Sequence, residues 1–408
     1  MKLSPLTVSP SIPYGLSYGQ RLLLDHFLFS TSIASSSHEI LQTRFCSLLV
    51  PKALTHSHLL SALLCLAAVH RQSIGLHQSD IQVAYLRWST IKLLSSALPN
   101  RNSEDESLAI ATSLLLCLCD LFAGIRPASS YNMHLRGGGL MLTESSLALK
   151  RDDDRLPAAV GNDNEVRLVG FLRQMYVSFG ITAMISGPVI EAEMARILLL
   201  SGLPNGSYVD IFTGCSTDLI PIFSEIRRLI DTREAVETCT CEWGHPCTEL
   251  DPLMQKGQKL VQQVLSMLAN SGNPDIRFHR DFQDAIDHDT AREYILLNQC
   301  YHHVALIFLY CQVLRKPSNA LMVQQAVHSI VSLGSSIRFR KTKASPAVAL
   351  THPLFLAGSA ATVKADREGL LCLLHELHRS FGCGLVKSSM ETLRREWEEE
   401  ANATSASR

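Results

Sequence analysis

Residues 58–72 read HLLSALLCLAAVHRQ, and this stretch decides the fold. Apolar and small residues continue from Leu59 to Val69, between His58 and His70. The run is longer than an ordinary strand, and it is shorter than the ~20 residues that a bilayer-spanning helix needs. It is therefore typical of a helix buried on all sides in a protein core.

The composition of the whole chain agrees with a helical core. The 408 residues are 46% hydrophobic and only 18% charged, below the ~25% charged residues of average soluble domains. Glycine and proline, which interrupt helices, number 22 and 16, and aromatic residues make up 6%. The length fits about two to three domains or one large interlocked helical domain. We predict an all-α fold that forms a single large multi-helix globular domain.

Apolar spacings of three and four residues recur outward from the central stretch. The next segment carries Ile81, Tyr85, Trp88 and Ile91 at such spacings, the pattern of an amphipathic helix. The predicted helices span residues 18–30, 38–49, 57–72, 79–98, 108–122, 131–149, 166–185, 190–200, 218–231, 252–270, 285–314, 320–333, 366–381 and 386–400.

Polar segments delimit this domain. We predict a flexible N-terminal lead over residues 1–17, the helical domain over 18–400, and a flexible tail over 401–408. Two polar stretches, about 150–165 and 232–251, are predicted to be exposed loops within the domain.

The sequence favours a reducing compartment and no membrane. Prolines at positions 5, 10 and 13 break the N-terminus, which lacks the continuous apolar region of a signal peptide. The apolar stretch from Ala109 to Ile125 contains Asp120 and is too short to span a bilayer. We therefore expect free thiols among the 12 cysteines.

One cysteine-rich segment has the chemistry of a metal site but not the spacing. Zinc favours thiolate and imidazole ligands in a tetrahedral set. Cys239 and Cys241 form C-x-C, and His245 and Cys247 form H-x-C, with no second standard pair. We interpret this segment as a polar surface loop and expect no bound metal and no cofactor.

Catalytic patterns are also incomplete. The acidic run Asp152–Asp154 lacks the downstream carboxylate of a magnesium-binding helix, and no G-x-S-x-G motif is present. We interpret Gly137–Gly139 as a site of close helix packing. We expect no catalytic residues and no enzyme. The alternative is an all-α enzyme or small-molecule-binding protein with a buried apolar pocket.

A single basic cluster stands out in a chain of net charge −1. Arg338, Arg340, Lys341 and Lys343 place four positive charges in a short segment. Such a cluster serves as a nuclear import signal, as a phosphate contact, or simply as an exposed loop between helices.

Several short motifs occur together in one order along the chain. They are Ala67-Ala68-Val69-His70, Ala84-Tyr85, Tyr131 with His134-Leu135 and Gly137-Gly138, Gly214 with Asp218-Leu219, and Pro353-Leu354-Phe355 with Ala357-Gly358, Arg367 and Trp397. With these motifs the chain resembles the fungal-specific transcription factor domain, the helical regulatory region of fungal regulators that usually carry an N-terminal Zn₂Cys₆ cluster. The resemblance covers roughly Tyr18 to Glu400.

The resemblance implies a nuclear transcriptional regulator of fungal type. Such a domain acts through homodimer or heterodimer contacts, through a DNA-binding regulator and through a small-molecule effector, and it controls a metabolic or secondary-metabolite pathway. The chain departs from the family at His352, where an aromatic residue is usual, and in lacking the C-x2-C-x6-C zinc pattern, for which the early start of the helical domain leaves no room. Because the chain also lacks a basic excess, we expect it to bind duplex DNA weakly and without sequence preference.

Overall fold

The computed structural model describes residues 15–76, 79–100, 103–124, 130–144, 163–187, 191–200, 207–238, 250–271, 277–279 and 282–406. In these ranges the chain is 82% helical and forms one globular unit of 15 helices without a strand. The prediction of an all-α fold is confirmed.

The N-terminal half contains eight helices. Each of the first two continues through a π-helical turn into a short further helix. In the first these are Phe27–Thr31 and Ser32–Ala34, and in the second Phe45–Leu49 and Val50–Ala53. The helices begin as α1 (Tyr18–His26), α2 (Glu39–Arg44), α3 (Ser57–Ser73), α4 (Asp80–Ala97), α5 (Ser103–Phe122), α6 (Ser130–Glu144), α7 (Asp163–Ser186) and α8 (Glu191–Leu200).

The C-terminal half contains seven more helices. A π-helical turn, Leu309–Val313, ends α11, and a 3₁₀ turn, Pro346–Leu350, leads into α13. The helices are α9 (Leu219–Thr238), α10 (Leu250–Asn270), α11 (His288–Phe308), α12 (Leu321–Ser335), α13 (Thr351–Ala360), α14 (Lys364–Phe381) and α15 (Gly384–Ala406).

Helix α3 is the centre of the N-terminal half. Its side chains from Ser61 to His70 are all buried, as the run of apolar residues predicts. Helices α1, α4 and α5 pack around it. In the C-terminal half α11 has the same role, with α10, α12 and α13 against it. Helices α5 and α15 join the two halves, so one hydrophobic core is continuous through the chain.

Helix α13 is the element that the sequence pattern misses. Pro353 lies in its first turn, where a missing backbone N–H costs little. Ten residues with a Pro and a Gly do not display a clear helical period, but packing against α11, α12, α14 and α15 stabilises the helix.

Several predicted boundaries are wrong by three residues or more: α1 and α2 continue to Ala34 and Ala53, and α5 begins at Ser103. Helix α9 continues to Thr238, into the predicted loop at 232–251, because Arg233 and Glu237 form an i,i+4 ion pair at 2.7 Å. Helix α15 continues to Ala406, into the predicted tail, and α7 begins at Asp163. Residues 1–14, 145–162 and 239–249 lie outside the described ranges, and with them most of the predicted lead and loops.

One helix, Asn164–Ser186, is long and apolar enough to cross a membrane. However, 83% of its most apolar window is buried inside the protein, as in the core helix of a globular domain. The absence of a membrane association stays a prediction.

Candidate interaction surface

The outer side of α4 carries an exposed row of large side chains. Ile81, Tyr85 and Trp88 are 82%, 61% and 55% exposed, and Ile91 and Lys92 are exposed beside them. We call these five residues the α4 face. The spacing of four, three and four residues from Ile81 to Lys92 sets them in one line along the helix. Within the part of the chain that the structure describes, these side chains remain exposed to solvent.

Stacking organises the α4 face. The rings of Tyr85 and Trp88 lie with centroids 6.0 Å apart and planes inclined by 38°. The Nζ atom of Lys92 lies 4.8 Å from the centroid of the Trp88 ring, a cation–π contact. The two aromatic side chains and the lysine therefore form a continuous surface with both apolar and charged parts.

The opposite side of α4 holds the helix in place. The Thr90 hydroxyl donates to Ser61 Oγ on α3 at 2.8 Å, and the Ser61 hydroxyl donates to the Leu86 carbonyl at 3.3 Å. Thr90 and Leu94 are buried. These contacts prevent the helix from turning the α4 face toward the core.

A buried ion pair adds to this constraint. Arg87 pairs with Asp120 on α5, whose side chain is fully buried, and Ser130 at the start of α6 donates to Asp120 Oδ2 at 2.8 Å. Because an unpaired buried carboxylate is costly, this pair sets the angle of α4 relative to α5. Arg87 and burial also lower the pKa of the nearby His134 to about 4, with burial as the larger cause.

The motif residues on α3 and α6 have structural roles. His70 bridges Thr31 Oγ1 at 3.0 Å and the Phe381 carbonyl at 3.2 Å, so it connects α1 and α14 through α3. The Tyr131 hydroxyl donates to the Phe179 carbonyl at 3.0 Å. A Cβ atom at Gly139 would lie 2.4 Å from the Tyr176 hydroxyl, so close helix packing requires glycine there, whereas a Cβ atom at Gly137 would meet no atom within 4 Å.

The motif around Gly214 forms a buried turn. Gly214 has a φ of +72°, and a Cβ atom there would lie 2.2 Å from Leu297 Cδ2. Asp210 Oδ2 accepts from the backbone and hydroxyl of Thr213 at 2.9 and 2.7 Å, and the Ser178 hydroxyl lies 2.9 Å from it. Burial raises the pKa of Asp210, and its hydrogen bonds hold the turn and connect it to Ser178 on α7.

Among the residues that carry these motifs, only Ala84 and Tyr85 are exposed. All the others are buried or half-buried, and packing accounts for most of them. Packing does not account for Tyr85, which lies at the centre of the α4 face. The spacing of three and four residues correctly indicates a helix here, but the sequence does not reveal that its most aromatic side faces away from the core.

Comparison with known sequence families adds the deciding observation. The fungal specific transcription factor domain matches residues 21–407, nearly the whole chain. The chain belongs to this family. It is a domain of fungal transcription regulators, as its motifs predict. No curated protein and no solved structure matches the chain.

The zinc cluster common in regulators of this family is not found in these 408 residues. No C-x2-C-x6-C pattern occurs in them, and the comparison finds no zinc-cluster domain. The segment with Cys239, Cys241, His245 and Cys247, for which we predict no bound metal, lies outside the described residues, as does the acidic run at 152–154. Within the described ranges, no three His, Cys, Asp or Glu side chains group as metal ligands.

The basic cluster is tied into the fold. Arg338 donates from Nε to Glu293 Oε1 at 2.8 Å, and Arg340 reaches the same carboxylate through both terminal nitrogens at 2.9 Å. Lys343 lies 3.3 Å from Glu39. The Glu293 side chain is buried, so it draws both arginines toward α11. Three of the four charges thus have acidic partners, and the cluster is a structured turn and not a free basic segment.

Proposed function

We propose that this chain regulates transcription in the fungal nucleus through protein contacts made by the α4 face, and that a partner regulator holds the DNA. The observation that carries the proposal is an aromatic helix face that is exposed and yet held rigidly by Thr90, Arg87 and their partners. Tyrosine and tryptophan supply much of the binding energy at protein interfaces.

The charge distribution supports indirect contact with DNA. A protein that neutralises several phosphates needs several free lysines or arginines on one face. The chain has a net charge of −1, and the strongest basic cluster is largely occupied by Glu293 and Glu39. We therefore propose that the partner regulator, and not this chain, recognises the DNA sequence.

The proposal also covers the class of target genes and the signal to which the chain responds. Control of a metabolic or secondary-metabolite pathway is the target class that we propose, with a small-molecule effector as its input. The alternative of an all-α enzyme needs a buried polar group that is free to act on a substrate. The buried carboxylate of Asp210 is already engaged, since it accepts hydrogen bonds from Thr213 in its own turn and from Ser178 on α7.

The proposal is tested with a fluorescent fusion of the chain in a fungal host that lacks the native copy. We expect nuclear fluorescence and altered transcript levels for a limited set of genes. Trp88→Glu should abolish the transcript response without changing nuclear signal. Leu321→Glu, at an exposed leucine at the start of α12, is the matched control and should behave as wild type. An unchanged transcript profile after deletion of the gene contradicts the proposal.

A further inference from the structure

We propose that Thr342 is a phosphorylation site for a protein kinase that selects hydroxyl residues flanked by basic side chains. Thr342 lies within the basic cluster, with Lys341 immediately before it and Lys343 immediately after it. This covalent modification goes beyond the proposed function, because it involves neither the α4 face nor a partner regulator.

The Thr342 side chain is exposed in the connection between two helical elements. Helix α12 ends at Ser335 and the 3₁₀ turn begins at Pro346, so no helix covers the residues between them. Lys341, Thr342 and Lys343 are all exposed. A kinase has to accommodate the acceptor hydroxyl in its own active-site cleft, which favours a residue on a surface loop. Thr342 meets this requirement in the folded chain.

Ser345 is the neighbouring hydroxyl residue that the same requirement excludes. It is 0% exposed, and its hydroxyl donates to the Arg338 carbonyl at 2.9 Å. The same oxygen accepts from the backbone N–H of Ala347 at 3.4 Å, at the start of the 3₁₀ turn. A kinase reaches Ser345 only if this turn opens. The segment therefore contains one accessible hydroxyl and one enclosed hydroxyl, three residues apart.

The charges beside Thr342 indicate the class of kinase. Kinases select their substrates by charge complementarity, and an acidic substrate groove selects basic neighbours. The Lys343 ammonium lies 3.3 Å from Glu39, in a pair whose side chains are 65% and 59% exposed. So exposed a pair costs little to break, and both lysines are available to an acidic groove. Arg340, in contrast, is held through both terminal nitrogens by the buried Glu293.

The reaction transfers the terminal phosphoryl group of ATP to Thr342. The Oγ–phosphorus bond forms as the bond between the γ-phosphorus and the bridging oxygen breaks, and ADP leaves with that electron pair. The catalytic base of the kinase takes the hydroxyl proton. ATP, its Mg²⁺ and the base all come from the kinase complex, so the chain supplies only the acceptor oxygen and the flanking charges.

Phosphorylation reverses the net charge of the basic cluster. Its four positive side chains have three acidic neighbours, Asp289, Glu293 and Glu39, which leaves one positive charge in excess. A phosphothreonine adds about −1.5 to −2 at pH 7, together with three strong acceptor oxygens. Because Lys343 is the next residue, its ammonium should leave Glu39 for the phosphate. Glu39 is the first residue of α2, so the modification should release the cluster from that helix.

Phosphorylation of the purified full chain tests the proposal. The chain is incubated with Mg²⁺–ATP and the catalytic domain of protein kinase C, a kinase that selects hydroxyl residues between basic side chains. Peptide mass spectrometry should locate a phosphate on Thr342 and none on Ser345. Thr342→Val should lose this phosphate and Thr342→Ser should retain it, with circular dichroism verifying that both are folded. A folded wild type whose Thr342 stays unmodified overturns the proposal.

The flanking charges are tested by the rate of the same reaction. The double variant Lys341→Ala/Lys343→Ala should be phosphorylated at Thr342 at least about tenfold more slowly than wild type. Lys364→Ala, which removes an exposed lysine on α14, is the matched control and should react at the wild-type rate. A double variant that reacts as fast as wild type overturns recognition through basic side chains.

Carbodiimide coupling tests the exchange of partners, because it joins an ammonium and a carboxylate that are in direct contact. It should link Lys343 to Glu39 in the unmodified chain and several-fold less in the phosphorylated chain. The exposed pair of Lys364 and Glu368 provides the control, and its coupling should not change. Equal coupling of Lys343 to Glu39 before and after phosphorylation overturns this consequence.

Discussion

The indole Nε1 of Trp397 donates a hydrogen bond to the carbonyl oxygen of Gly358, 3.1 Å away. The guanidinium of Arg367 lies 5.0 Å from the centroid of the same ring and donates from Nε to the Ala361 carbonyl at 2.7 Å. Three residues from α13, α14 and α15 therefore meet at one point. Arg367 follows Gly358 by nine residues and Trp397 follows Arg367 by thirty, and their contact gives these three motif residues a common structural role.

Gly358 should tolerate no larger side chain. A Cβ atom there would lie 2.5 Å from Cδ1 of Leu393, which is fully buried and would have to shift within the core. We expect Gly358→Ala to lower the free energy of unfolding by about 1–3 kcal/mol. In the matched control, Gly137→Ala, no atom lies within 4 Å of the new Cβ, so helix propensity should raise stability slightly. Urea denaturation of both variants measures the difference, and equal effects of the two contradict the packing argument.

These packing motifs show what the sequence predicts well. The run from Leu59 to Val69 identifies the central helix because its apolar residues allow no exposed side, and α3 is buried as expected. The ends of α9 and α15 are less predictable. The last turn of α9 is held by the local pair of Arg233 with Glu237 and also by Arg315 with Glu237, a contact remote in sequence that no local pattern contains.

His70 should make stability depend on pH. Burial, the largest cause, and the neighbouring His26 lower its pKa to about 3, although the hydrogen bond to the Phe381 carbonyl acts in the opposite direction. The unfolded chain, with a histidine pKa of about 6.5, therefore binds a proton that the folded chain does not. The free energy of unfolding should fall as pH falls below about 6.5, by up to about 1.4 kcal/mol per pH unit from this group.

The variant His70→Leu checks this expectation. It leaves the Thr31 hydroxyl and the Phe381 carbonyl without their partner, so stability at pH 7 should fall by about 1–3 kcal/mol. Its loss of stability between pH 7 and 5 should be shallower than in wild type, because one titrating group is gone. The exposed His375 provides the control variant His375→Leu. If the free energy of unfolding of His70→Leu changes with pH as steeply as that of wild type, His70 is not the group that causes the pH dependence.

Glu293 should be the acidic residue on which the basic cluster depends. Its buried carboxylate accepts from Arg338 and from both terminal nitrogens of Arg340. We expect Glu293→Gln to destabilise the fold by about 2 kcal/mol, below the ~3–5 kcal/mol of a fully buried pair because the arginines are partly in solvent. Glu368→Gln, in an exposed pair with Lys364, should have little effect. Thermal unfolding compares the two variants. A Glu293→Gln variant as stable as wild type would contradict this role of Glu293.

Direct DNA binding should be weak. The chain has no net positive charge, and Arg338, Arg340 and Lys343 have acidic neighbours. We expect no sequence-selective complex in a gel-shift titration of the purified chain at physiological salt, and any binding at low salt should disappear as salt rises. Nanomolar, sequence-selective binding by the isolated chain restores the direct-binding interpretation.

The exposure of the α4 face could not be predicted from the sequence. Ile81, Tyr85, Trp88 and Ile91 have the spacing of any amphipathic helix, and the same spacing usually places such residues in a core. Which side of α4 is buried depends on Thr90 and Arg87, whose partners Ser61 and Asp120 lie on other helices. Only the assembled structure shows that the aromatic side remains available to a partner.

Chromatin immunoprecipitation of the full chain tests the central claim most directly. The wild type and Leu321→Glu should be enriched at a shared set of promoters, and Trp88→Glu should fall to background while it remains folded and nuclear. This result is expected if the α4 face connects the chain to a DNA-bound assembly. Equal enrichment of Trp88→Glu and wild type, or no enrichment of the wild type at any promoter, would contradict the account.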